Sequence, residues 1–246
     1  LRTLNFSTAA FKWETSFNIS FAKNELLSFP NLEGSAFANQ YVIGESLGIR
    51  KVYEYTGINP ETGIYEFKDF DGDGLVTSPN DKQKIVDTSP EYFGGVQNSF
   101  TYKGFEFDFL FQFVKQLGTN YNAIGILPGS ANNMSVSNLN SWQQAGDNAA
   151  VQIYTAGFNT AATSAFFNRY VQSDAAYSDA SFIRLKNVSL GYTLPKKWLP
   201  NLNCKLYVKG QNLLTITHYD GSDPENQNQG KLPPLRILTL GAQVKF

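Results

Sequence analysis

The chain has a single cysteine and a single histidine among its 246 residues. One cysteine cannot form a disulfide within the chain. One Cys and one His together all but exclude a Cys/His zinc site. His218, beside Tyr219 in a loop-like stretch, reads as a solvated loop residue. Cys204 falls on the apolar side of an alternating run and reads as a small hydrophobe. A surplus of charge is also missing: 20 Lys+Arg stand against 21 Asp+Glu. A nucleic-acid binder would show a basic excess. No apolar run reaches the roughly 18 residues that mark a transmembrane helix. Neither a nucleophile–base pair, a phosphate loop nor a nucleotide fingerprint is present, so an enzyme is not expected. The sequence begins at Leu1 with no Met and no signal peptide. That leaves a mature start or a piece of something longer, and the strand count below favours the piece.

What the chain has in quantity is aromatic rings, with 20 Phe and 13 Tyr. Phe105, Phe107, Phe109, Phe111 and Phe113 occupy alternate positions, with Glu106, Asp108 and Gln112 between them. A period of two places the rings on one face of a strand and the polar groups on the other. Phe11, Trp13, Phe17, Ile19 and Phe21 repeat the pattern, as do Val96, Phe100 and Tyr102. So do Cys204, Leu206 and Val208, and finally Leu238, Leu240, Ala242, Val244 and Phe246. The runs approach the roughly 9–11 residues that a tilted strand needs to cross a bilayer.

The alternation predicts strands over 1–8, 11–22, 92–102, 105–115, 182–193, 203–217 and 235–246. Their connections segregate by length. Residues 8–10, 103–104 and 194–202 are short turns. Residues 23–91, 116–181 and 218–234 are long loops. Short turns at one end and long loops at the other are how outer-membrane barrels are built. Phe11, Trp13, Tyr102, Phe105, Tyr192, Trp198 and Phe246 gather near the short-turn end; Phe21, Tyr92 and Phe113 gather near the other. Two such girdles suit a barrel wall. One segment breaks phase: Ile183 and Leu185 oppose Val188, Leu190 and Tyr192. Either a bulge near Asn187 corrects this or the strand's start rises out of the membrane. About seven strands cannot close a transport barrel, and open edges in lipid are prohibitive. The chain therefore oligomerises or is preceded by further strands.

Several stretches together resemble one family. Ser181-Phe182-Ile183-Arg184-Leu185-Lys186-Asn187-Val188-Ser189-Leu190-Gly191-Tyr192-Thr193-Leu194-Pro195 resembles a signature of SusC/RagA-like TonB-dependent outer-membrane transporters. Leu206 to Leu214 is similar to their penultimate strand, and Pro233-Pro234-Leu235-Arg236 through Phe246 to their last. Asp69-Phe70-Asp71-Gly72-Asp73-Gly74, followed by Tyr92-Phe93-Gly94-Gly95, is similar to an earlier block. Trp142 with Gly146-Asp147 is similar to a further loop element. The resemblance implies an all-β fold: a transmembrane antiparallel barrel segment holding about the last six to seven of roughly 22 strands, with 23–91 and 116–181 as long extracellular loops. Residues 1–246 would be a C-terminal portion, the plug domain and earlier strands being absent. It implies residence in a Gram-negative outer membrane with a periplasmic C-terminus. It implies TonB-powered import of oligosaccharides or oligopeptides. The partners implied are the rest of the barrel, a SusD-like surface lipoprotein, TonB through the plug, and lipid.

The residues themselves mark four candidate sites. Asp69, Asp71 and Asp73, with Gly74, match the first half of a calcium loop, because alternate carboxylates converge on a hard cation. Leu75 offers a carbonyl and Thr77 a further ligand. The twelfth position is Asn80 rather than Glu, so Asp81 would have to reach in from one residue further. A structural Ca2+ ordering the loop and a plain solvated acidic turn are both open. Trp142, Tyr154, Phe158, Phe166, Phe167 and Tyr170 lie in the second long loop among amides. They suit substrate contact, partner contact or packing of the loop on itself. Glu106, Asp108, Lys205 and Lys209 are expected to line the lumen, touch a plug or be solvated. Phe246, an aromatic last residue, suits both a barrel-assembly signal and an ordinary girdle residue. The competing functional readings are a soluble or surface all-β ligand-binding module with a calcium-ordered loop, and a small oligomeric pore.

Overall fold

The computed structural model describes residues 1–245. In chain order the strands are β1 (Arg2–Ser7), β2 (Phe11–Ser20), β3 (Ile49–Val52), β4 (Tyr55–Ile58), β5 (Tyr65–Phe67) and β6 (Lys84–Asp87). Then come β7 (Tyr92–Tyr102), β8 (Phe105–Lys115), β9 (Leu117–Thr119), β10 (Tyr177–Asp179), β11 (Phe182–Thr193), β12 (Asn203–Thr217) and β13 (Ile237–Lys245). A short α1 (Thr160–Ser164) runs into a wide π turn over Ala165–Arg169. Phe246, expected to end the last strand and to signal assembly, lies outside the described residues.

Seven strands form one antiparallel sheet in the order β1-β2-β7-β8-β11-β12-β13. All seven are the strands that alternation predicts, with ends shifted by at most two residues except where β13 stops at the last described position. The β7–β8 hairpin closes through Lys103 and Gly104, both at positive φ (45° and 88°). A two-residue turn of that kind matches the twist of the strands it joins. Every short turn lies at one end of the sheet, and the three long connections lie at the other.

Register aligns the rings in rows. Trp13 faces Phe100, and Phe100 faces Phe107. Phe107 faces Leu190, Leu190 faces Val208, and Val208 faces Leu240. On the opposite face Glu106 meets Gly191 beside Tyr207, and Lys205 forms an ion pair with Glu106. The phase break in β11 is a bulge. The pairing slips between Leu185 and Asn187, with Lys186 as the extra residue against β8. It lets Ile183 and Leu185 face Phe113 and Phe111 while Val188, Leu190 and Tyr192 face Phe109, Phe107 and Phe105. Both halves of the strand thus put their apolar residues on the same side.

Among the described residues nothing covers that side. Leu206, Val208 and Leu190 are nearly half exposed, and Leu240 is 80 % exposed. Aromatic pairs mark both ends: Phe105 with Tyr192 and Phe11 with Tyr102 at the short turns, Tyr92 with Phe113 and Phe21 at the long loops. The buried core lies elsewhere. Tyr53, Tyr65, Phe67, Leu127, Ala165, Phe166 and Tyr170 cluster in the long connections. These connections, expected only as loops, carry the short pairs β3–β6, β4–β5 and β9–β10.

Candidate functional site in the loop cap

The first two long connections fold together into one cap. The Tyr53 amide donates to the Gln172 carbonyl at 3.1 Å, and the Tyr55 amide donates to Asp174 Oδ1 at 2.9 Å. Arg169 Nε donates to the Val76 carbonyl at 3.0 Å, and Lys82 Nζ to Gln172 Oε1 at 2.9 Å. Tyr65 and Tyr170 stack at 3.9 Å between ring centres, 9° from parallel, and Phe166 stacks on Tyr170. Burial pushes the Tyr65 and Tyr170 hydroxyls up, which keeps them neutral at physiological pH.

The third connection is tied to the polar face of the sheet by charge. Arg184, 1 % exposed, pairs with Asp223 and Glu225 and donates from Nε to Thr215 Oγ1 at 3.0 Å. Lys186 adds a second pair to Glu225 at 2.7 Å. Gln116 Nε2 donates to the Pro224 carbonyl at 2.8 Å, and the Tyr219 hydroxyl donates to the Thr119 carbonyl. The Arg and Lys of the signature segment thus hold a loop that follows about forty residues later, a role that spacing does not reveal.

The acidic loop brings together three carboxylates. Single oxygens of Asp69, Asp71 and Asp81 lie within 4.8 Å of one another. Asp81 is fully buried and accepts the Phe70 and Thr77 amides at 2.6 and 2.7 Å. Those amides hold its carboxyl below the usual carboxylate range, the Thr77 amide most strongly. Asp69 accepts from the Gly72 and Gly74 amides. Asn80 turns onto Asp71. Asp73 is not in the carboxylate group; it accepts from the Leu75 amide at 2.7 Å. Three convergent carboxylates, each with spare lone pairs, fit a hard divalent cation.

The six aromatics of the second connection divide. Trp142 lies over Gly63, where a Cβ would come within 2.3 Å of the indole, and its Nε1 donates to the Pro60 carbonyl at 2.9 Å. Tyr154 donates to the Asn138 carbonyl. Phe158 is 93 % exposed and Phe167 nearly half exposed. Phe166 and Tyr170 are buried and form the floor of a cavity of about 580 Å³. Tyr65, Tyr121, Asn122, Ile124, Asn133, Met134, Ser135, Asn138 and Asp220 are among the other residues that line it. These residues come from all three long connections, so no single stretch of sequence announces them.

No family model matches the chain. Over its whole length it is 29 % identical to TonB-dependent receptor P3 of Formosa agariphila, covering 28 % of that protein. It is 26 % identical to TonB-dependent receptor SusC of Bacteroides thetaiotaomicron across 97 % of this chain and 25 % of that one. The fold superposes along its full length on the RagAB peptide transporter with a TM-score of 0.71 at 21 % identity. The closed-closed state of the RagAB peptide importer gives 0.75 at 20 %. The chain is similar in sequence to these TonB-dependent receptors and in fold to the RagAB transporter. These relatives are named as receptors and transporters, not enzymes. The chain spans only about a quarter of the length of the curated relatives it matches. Its bulged β11 carries the signature segment, and its sheet is a piece of antiparallel barrel wall.

Proposed function

We propose that this chain supplies wall and extracellular loops to a TonB-dependent outer-membrane importer of oligosaccharides or oligopeptides. The observation that carries this reading is the inverted burial. The apolar face of a seven-stranded sheet is bare, while the hydrophobic core sits in the connections at one end. Burying a Leu- or Phe-sized side chain contributes about 1.5–3 kcal/mol, so a water-soluble module would not leave whole rows uncovered. A bilayer removes the conflict. It takes the bare face, the aromatic pairs sit at its two interfaces, and the polar face with Glu106, Asp108, Lys205 and Lys209 turns to the lumen. The cap then projects outside the cell, where a SusD-like lipoprotein can close over it, and the C-terminus faces the periplasm. TonB would act through a plug that belongs to the whole transporter. In this setting the Asp69, Asp71 and Asp81 group would hold Ca2+ as a structural tie within the cap.

Cysteine mapping on intact cells tests the orientation. Phe158→Cys should react with a membrane-impermeant maleimide from outside. Leu240→Cys should react only with a lipid-soluble one. Equal labelling of both by the impermeant reagent would defeat the reading. Purification in mild detergent with mass spectrometry of what co-elutes tests the lipoprotein partner.

A further inference from the structure

The third connection turns down onto the polar face of the sheet. We infer that residues 218–234 form a strap folded into the mouth of the lumen, latched by Arg184, which covers the wall at that row and narrows the passage along β11 and β12. This rests on the import reading, which makes the polar face the lumen wall.

Alternation fixes the side on which the strap lies. Ile183 and Leu185 face Phe113 and Phe111 on the apolar side, so Arg184 between them points to the polar side. Thr215 and Gln112 are its partners in register and share that side. A guanidinium on a lumen wall is expected to be wet, yet Arg184 is 1 % exposed. The strap covers it, through Asp223 and Glu225. The Oε1 atom of Gln112, one strand further on, is closed to solvent as well. Glu225 also meets Lys186 with both carboxylate oxygens, at 2.7 and 2.9 Å. Lys186 lies four residues into β11 from Phe182, about 13 Å along a strand that rises about 3.3 Å per residue. The strap is therefore drawn below the strand tops.

The strap is also built to keep its shape. Asp223 divides its carboxylate: Oδ2 takes Arg184, and Oδ1 accepts the Glu225 and Asn226 amides at 3.0 and 3.2 Å. The Ser222 amide donates to Gln229 Oε1 at 2.7 Å, and the Gln227 amide to the Asp223 carbonyl at 2.9 Å. Pro224, Pro233 and Pro234 fix φ on either side of this turn. Gln116 Nε2 donates to the Pro224 carbonyl at 2.8 Å, and Gln229 Nε2 to the Thr119 carbonyl at 3.1 Å, tying the strap to the base of the second connection. A segment anchored both to the wall and to the cap is a fixed part of the passage, and cargo passes on its far side.

The test uses the complete receptor with its lipoprotein in intact cells, in a background lacking Cys204. It reads the labelling rates of single cysteines by membrane-impermeant maleimides added outside. Gln112→Cys stands in the row of Arg184. A small maleimide should label it at least about tenfold more slowly in the parent than with Arg184→Leu, as a site reached only through local opening. Should Arg184→Leu fail to reach the outer membrane, replacing 224–232 by a short Gly-Ser linker removes the strap while leaving β11 and β12 as they are, and should give the same rise. A bulky polyethylene-glycol maleimide should label Phe158→Cys in the parent, and Asn226→Cys only once Arg184→Leu has released the strap. Equal rates at Gln112→Cys with and without the strap, whether fast or slow, would overturn the inference, because the wall would be open already or covered by something else. So would bulky labelling of Asn226→Cys in the parent at the rate of Phe158→Cys. Either result leaves import standing while Leu240→Cys reacts only with the lipid-soluble reagent. If Leu240→Cys reacts with the impermeant one, the import reading falls and this inference with it.

Discussion

Arg184 ties the third connection to the sheet through Asp223 and Glu225. Its guanidinium is buried, and Asp223 beside it is 5 % exposed on its side chain. Removing one partner of such a pair leaves a buried charge without compensation, at a cost of about 3–5 kcal/mol. Arg184→Leu should therefore free residues 218–234 for external protease on intact cells. Arg184→Leu with Asp223→Asn should recover much of that protection, since the second change removes the stranded charge. Equal cleavage of the single and double variants would show that the loop is held by something else. The carboxylates of the cap make a pH prediction. Asp179 is held at about 2 by Ser181 first and then by Lys115, and Asp81 is lowered by the Thr77 and Phe70 amides. A depressed folded pKa gives stability that is complete above the ordinary carboxylate pKa of about 4 and is lost as pH falls towards the folded value. Protease resistance of the cap should hold from neutral pH to about 4 and decline below it, with Asp81→Asn flattening that decline. Resistance that instead falls between pH 8 and 6 would contradict this assignment. Calcium should protect the cap of the parent and not of Asp71→Asn; identical digestion with Ca2+ and with chelator would remove the metal from the account.

At the scale of the strand, the bulge at Lys186 decides which face is which. Period two means that an omitted residue turns every later side chain over. Deleting Lys186 should drive either Arg184 into lipid or Val188, Leu190 and Tyr192 into the lumen. A cation on the lipid face of a barrel costs about 2–4 kcal/mol at mid-depth. The deletion should abolish the heat-modifiable folded band on semi-native gels, whereas Lys186→Ala, which keeps the residue count, should retain it. Folding of the deletion variant would mean that the bulge is dispensable. The same strand shows what the sequence could and could not reveal. The membrane strands were legible because lipid on one side and water on the other impose a strict alternation, seen most cleanly from Phe105 to Phe113. The bulge was legible as a broken phase. The cap was not. Tyr65, Phe166 and Tyr170 meet from connections about a hundred residues apart, and β3 to β6 are only three or four residues long, too short to show a period. Asp81 was legible as the late carboxylate that joins Asp69 and Asp71, whereas the backbone amides that hold it there and the divergence of Asp73 were not.

At the scale of the whole molecule, the sheet has two free edges among the described residues, β1 and β13. Each presents unpaired N–H and C=O groups along its length. In water such an edge is a mild liability; in hydrocarbon each unsatisfied group costs several kcal/mol. No arrangement of side chains seen here offsets a row of them, so both edges must be covered by more strand or by another chain. The cap sets a different requirement, because its core is already complete within the first two connections and does not draw on either edge. These two facts predict a separation. When the 246 residues are expressed alone, the wall should fail to enter membranes as a folded unit and should be recovered as aggregate. The cap sequence 21–91 joined to 116–181 by a short linker should still give a protease-resistant fragment containing Tyr65 and Tyr170. Hydrogen exchange would measure it, with slow amides at Tyr53, Tyr55 and Ile153 marking the joined connections. A stable, detergent-free monomer of the full 246 residues would reverse the argument, since it would require the bare rows from Trp13 to Leu240 to be covered in water by something this fold does not supply.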